Sequence, residues 1–139
     1  MNHIIVEDKL RDTNPVPVVI AFTPNYFIPA STCLYSIFAS LDIEEQIHVI
    51  CLLSEELPDR LKQKIQLIGG ERAQYSFINL QGRLQNIYID AKYTEAASYR
   101  LLLPDLLPEY DKVMYIDCDI IVRNNLVKLY RSVDLGNNY

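Results

Sequence analysis

Val16-Pro17-Val18-Val19-Ile20-Ala21-Phe22 is a near-continuous apolar run. A strand with one wet face would alternate apolar and polar residues, whereas an unbroken run is the pattern of a strand covered on both faces. Such burial is typical of a parallel sheet with helices packed on either side. Pro15 and Pro17 fall where the strand begins, and a missing ladder donor is tolerated there.

The pattern continues outward from this strand. Tyr26, Phe27, Ala30, Cys33, Leu34, Ile37, Phe38 and Leu41 recur at three- and four-residue spacing, one face of an amphipathic helix with Pro29 in its first turn. Ile47 to Leu53 reads as a second strand. Ser54 is then expected to cap a helix whose first turn holds Glu55 and Glu56, whose stripe is Leu57, Leu61, Ile65 and Ile68, and which Gly69-Gly70 closes. Ala73 to Leu80 is a third strand. Thr94 is the expected cap of a helix carrying Tyr99, Arg100 and Leu101, with Pro104 starting a further turn and Pro108 ending it. Lys112 to Ile116 is the next strand, and a short helix beyond Asn124 runs into a turn at Asp134-Leu135-Gly136. This alternation predicts an α/β fold with a mostly parallel sheet.

The 139 residues fit one domain, here divided into a polar leader over 1–14 and a folded portion over 15–139. Half the residues are hydrophobic and the net charge is −5, which excludes a polybasic nucleic-acid surface and argues against holding an anionic membrane by bulk charge. An anionic ligand must therefore be gripped locally. Cys33, Cys51 and Cys118 are odd in number and each lies in an apolar stretch, as expected of reduced thiols in a cytoplasmic protein. The apolar run near the amino terminus is too short for a signal peptide, and no stretch is long enough to span a bilayer.

In Val113-Met114-Tyr115-Ile116-Asp117-Cys118-Asp119-Ile120-Ile121-Val122, two carboxylates spaced i, i+2 interrupt an apolar run. Two anions at the end of a buried strand repel each other and lose hydration unless a cation or donors lie between them. Oxygen ligands suit a hard divalent ion, Mn²⁺ or Mg²⁺, which keeps positions open for phosphate oxygens. Thr23-Pro24-Asn25 follows the first strand as Asp117-Cys118-Asp119 follows the later one. In a parallel sheet both loops open on the same edge, where such sheets bind nucleotides.

Three ordered segments carry a resemblance: Ile20-Ala21-Phe22-Thr23-Pro24-Asn25-Tyr26, Ser98-Tyr99-Arg100-Leu101-Leu102-Leu103-Pro104-Asp105-Leu106-Leu107-Pro108, and Asp111-Lys112-Val113-Met114-Tyr115-Ile116-Asp117-Cys118-Asp119-Ile120-Ile121-Val122. From about Val16 onward the chain resembles the retaining glycosyltransferases of family 8, which include lipopolysaccharide galactosyl- and glucosyltransferases and the glycogenins. The resemblance implies a GT-A fold, a Rossmann-like sheet with helices on both faces. It implies Mn²⁺ or Mg²⁺ on Asp117 and Asp119, with Cys118 between them in the same loop, and a UDP-hexose as donor. Ala21, Thr23 and Asn25 correspond to the loop that meets uracil and ribose, Tyr93 to a base-side contact, and Arg100 to the catalytic arginine near the donor sugar and phosphate. The implied acceptor is a saccharide or glycolipid, and the implied location is the cytoplasm or the inner membrane face.

Two departures qualify these expectations. Position 23 holds threonine where bacterial members carry aspartate, although a hydroxyl can still hydrogen-bond. The family's third metal ligand, a histidine, and a phosphate-binding lysine belong to a carboxyl-terminal half, and His3 and His48 are misplaced to substitute. The expectation is a donor-binding portion cut short, with little activity alone and an exposed sheet edge that favours self-association. Plainer roles stand beside the sharp ones: strand-end turn for the aspartates, helix pairing for Arg100, capping for Asn25, a turn for Thr23, packing for Tyr93. A non-catalytic nucleotide-binding module is the main alternative. A haloacid-dehalogenase-type phosphatase fits less well, because its Asp-x-Asp lies near the chain start.

Overall fold

The computed structural model describes residues 14–83 and 98–136. Four parallel strands form one sheet: β1 (Val16–Phe22), β2 (Ile47–Leu53), β3 (Ala73–Asn79) and β4 (Met114–Ile116), in the order β3-β2-β1-β4. All seven residues of β1 are buried, as its unbroken apolar run requires. Val16, Val18, Ile20 and Phe22 enter one core and Val19 and Ala21 the other.

The first core lies beneath α1 (Phe27–Ala39), which contributes Ala30, Cys33, Leu34, Ile37 and Phe38. It also takes Ile65 of α2 (Asp59–Gln66). The second core is closed by a 3-10 turn, Tyr99–Leu102, running into α3 (Leu103–Leu106). Tyr99 is fully buried there, with its hydroxyl 3.5 Å from the Leu80 carbonyl. After β4 the chain returns to the first face as α4 (Leu126–Ser132), whose Leu126 and Val127 join the first core. Helical segments therefore cover both faces, as expected.

Two local expectations change. The helix after β2 begins at Asp59, not at Ser54, and no side chain caps it. Leu57 precedes Pro58, and a residue before proline is pushed out of the helical region. Leu57 is instead buried in the segment before the helix, while the Pro58 carbonyl accepts the first N–H bonds, from Leu61 and Lys62. Glu56, expected in a first helical turn, pairs with Lys62 and accepts from Asn79 at 3.2 Å. The second change lies beyond the carboxylates, where Ile120 and Ile121 are 39% and 61% exposed. Thr94, the expected helix cap, lies outside the described residues.

Candidate functional site

The sheet winds outward from β1 in both directions, through β2 to β3 on one side and to β4 on the other. The boundary between β1 and β4 is thus the point where strand order reverses, and the crevice at the carboxyl ends of such strands binds ligands in open α/β sheets. Ile20 and Ile116 are the last residues paired between β1 and β4, so one step further the two strands reach Ala21 and Asp117. Thr23, Asn25, Cys118 and Asp119 follow within a few residues.

On the β1 side the chain turns at once. Thr23 is extended, its carbonyl accepts the Tyr26 N–H at 2.9 Å, and Pro24 opens a 3-10 turn over Pro24–Tyr26 that leads into α1. Thr23 is half-buried and Asn25 exposed at the crevice. On the β4 side Asp117 and Asp119 are both exposed, and among the described residues no hydrogen bond or ion pair engages either carboxylate. Also among the described residues, no third His, Cys, Asp or Glu joins them in a metal-binding group. Two free oxygen ligands fit a hard divalent ion that is completed by substrate phosphates, the usual arrangement for Mg²⁺-type sites.

The loop carrying the acids is held from below by α1. The Cys33 thiol donates to the Asp117 carbonyl at 3.7 Å, and Cys118 packs against the first core. Burial first, then the neighbouring Cys118, pushes the Cys33 thiol up to about 11. Cys118 is raised by burial and then by Asp119 and Asp117. Both thiols stay protonated at neutral pH and act as small apolar groups beneath the acids.

Arg100 is exposed on the 3-10 turn after buried Tyr99. Its charge reaches Tyr115 of β4: burial raises the Tyr115 phenol, Asp117 raises it further, and Arg100 opposes both. Tyr115 therefore feels both the Asp117 carboxylate and the Arg100 charge. Tyr115 was not singled out from the sequence, although its position two residues before Asp117 was the available signal. Tyr93 lies outside the described residues. A separate cleft of about 620 Å³, lined by Pro15, Pro17, Glu109, Asp111, Lys112 and Arg131 among others, lies at the opposite end of β1.

Comparison with known proteins identifies the family. The model of the family described as glycosyl transferase family 8 matches residues 17–139. Glycosyltransferase GlyE of Streptococcus pneumoniae serotype 4 (strain ATCC BAA-334 / TIGR4) is 30% identical over 94 residues, 65% of this chain and 23% of GlyE. The apo structure of the bifunctional glycosyltransferase WbbM superposes with a TM-score of 0.76 at 26% identity, over 99% of this chain and 23% of that one. Galactosyltransferase LgtC, in complex with donor and acceptor sugar analogues, gives 0.70 at 23% identity over 89% of this chain and 45% of LgtC, a likeness of fold. The chain thus spans less than half the length of each of these relatives. With its parallel α/β sheet and a family match running from the second residue of β1 to the last residue of the sequence, the chain belongs to glycosyl transferase family 8.

Proposed function

We propose that this chain provides the donor side of a metal-dependent glycosyltransferase that moves a hexose from a UDP-sugar to a saccharide or glycolipid acceptor. The observation that carries the reading is the meeting of two exposed, unengaged aspartates with the Thr23–Asn25 turn at the strand-order reversal. Asp117 and Asp119 would hold Mn²⁺ or Mg²⁺, which when bound offsets charge gathering on the departing diphosphate. Ala21, Thr23 and Asn25 line the side on which uracil and ribose would lie. Ala21 presents little bulk, and Thr23 and Asn25 offer hydrogen-bonding groups. The Arg100 guanidinium, whose charge is felt at Tyr115 of β4, has a fork suited to diphosphate oxygens or hexose hydroxyls.

Retention of anomeric configuration and a role in lipopolysaccharide assembly are the family-based parts of the proposal. Work at the cytoplasmic membrane face fits a lipid-linked acceptor. Among the described residues no helix is long and apolar enough to cross a membrane. Calorimetric titration of UDP with and without Mn²⁺ tests the reading. Binding should tighten with the metal, and the gain should vanish in Asp119→Asn. Heat that is indifferent to Mn²⁺, or unchanged in the variant, would contradict the proposal.

A further inference from the structure

After β4 ends at Ile116, the segment through Val122 pairs with no strand among the described residues. Backbone groups leaving a sheet need other partners, and α1 supplies them. The Val122 N–H donates to Ser36 Oγ at 2.8 Å, while the Ser36 hydroxyl donates to the Cys33 carbonyl at 2.6 Å. One turn further, Ser40 Oγ lies 3.3 Å from the Val122 carbonyl and 3.0 Å from that of Ser36. One residue of the metal loop is therefore bracketed at both its N–H and its C=O by two serines, one in the last turns of α1 and one at its C-cap. Cys33, at the near end of the same stripe, reaches the Asp117 carbonyl. In the loop between α1 and β2, Glu45 accepts from the side chain of Asn125, the residue that caps α4.

The contacts fall at positions 33 and 36 of α1 and at its C-cap, Ser40, a spacing that places them on one side of the helix. They act on the loop from Asp117 to Val122, which contains both carboxylates. Ser36 has one proton and uses it on its own helix, so its oxygen is left as acceptor for Val122. A residue that only stabilised α1 would need no such partner: Ser31, on the same helix, bonds the Phe27 carbonyl and no other group among the described residues.

We infer that Ser36, supported by Ser40, is a positioning residue for the metal-binding loop, holding the segment after Asp119 so that both carboxylates stay presented at the sheet edge. This rests on the donor-site reading for its consequence, but the hydrogen bonding itself can be tested without any ligand. Outer contacts that orient metal ligands typically change metal affinity by about 10–100-fold when removed.

The test compares the wild-type chain with Ser36→Ala, Ser36→Thr, Ser40→Ala and Ser31→Ala in two measurements. In amide hydrogen exchange, Val122 should be protected in the wild type and in Ser31→Ala. It should lose protection by roughly 10-fold or more in Ser36→Ala while Val18 and Val49 keep theirs, and recover in Ser36→Thr. In UDP titration, Ser36→Ala should weaken Mn²⁺-dependent binding by about 10-fold with metal-free UDP binding unchanged. Ser40→Ala, which leaves the Val122 N–H bonded, should show a smaller loss of the same kind and serves if Ser36→Ala does not fold. Unchanged Val122 protection in Ser36→Ala would overturn the inference. So would an equal loss of UDP binding with and without metal. A wild-type chain that ignores Mn²⁺ would instead refute the donor-site reading, and the exchange result would still decide whether Ser36 holds the loop.

Discussion

A Cβ at position 69 would lie 2.7 Å from the Phe38 ring, and the backbone there has φ of +88°. Both facts demand glycine: the left-handed conformation is costly for other residues, and the ring belongs to α1 in the first core. Gly69→Ala should therefore destabilise the fold by about 1–3 kcal/mol, read as a lowered denaturant midpoint with unchanged slope. An unaltered midpoint would show that Phe38 and the turn can both yield. At this scale the sequence was informative where chemistry and pattern agreed. Gly69 was legible as a helix stop, and Asp117 and Asp119 were legible because charges rarely interrupt an apolar run without a partner. Ser36 was not legible, since a serine inside an apolar stripe gives no sign that its oxygen faces a loop more than eighty residues away.

The elements followed their patterns most closely where burial was complete. β1 and β2 occupy Val16–Phe22 and Ile47–Leu53 as read, because their residues have few alternatives to the core. The start of α2 was misread because Ser54 and two glutamates make a plausible cap, while the constraint of Pro58 on Leu57 acts on the backbone and overrides it. His48 exemplifies a contact between elements that no local pattern encodes. On β2, its Nδ1 meets the Tyr110 hydroxyl at 2.6 Å and its Nε2 meets Ser76 of β3 at 2.8 Å. Burial lowers its pKa below the ordinary 6.5, with Glu109 opposing weakly. The unfolded chain therefore takes up a proton at this side chain at higher pH than the folded one does. Stability from this group is full above about pH 6.5 and falls as pH drops through that value toward the lower folded pKa. Thermal unfolding between pH 7.5 and 5 (values set about the ordinary histidine range) should show a declining midpoint that flattens in His48→Leu. Equal slopes in the two proteins would contradict this assignment.

Across the whole molecule, the order β3-β2-β1-β4 brings loops about ninety residues apart in sequence to one crevice. Alternating strand and helix patterns made a parallel sheet legible, but not which strand would flank β1; pairing across such separations is set by tertiary packing. β3 and β4 are the outer strands among those described, and β4 is only three residues long. An outer strand offers unpaired backbone groups to another chain, so we expect this chain to self-associate. Light scattering at rising concentration should report a mass above 16.1 kDa, and a constant monomer mass would count against edge pairing. The central claim concerns the crevice itself. Crystals of the chain soaked with Mn²⁺ and UDP, measured at an energy where manganese scatters anomalously, test it most directly. The account predicts one anomalous peak within coordination distance of both Asp117 and Asp119, with the diphosphate on its far side and the uridine toward Thr23 and Asn25. Density for UDP elsewhere, or both carboxylates turned away with no ion between them, would contradict it.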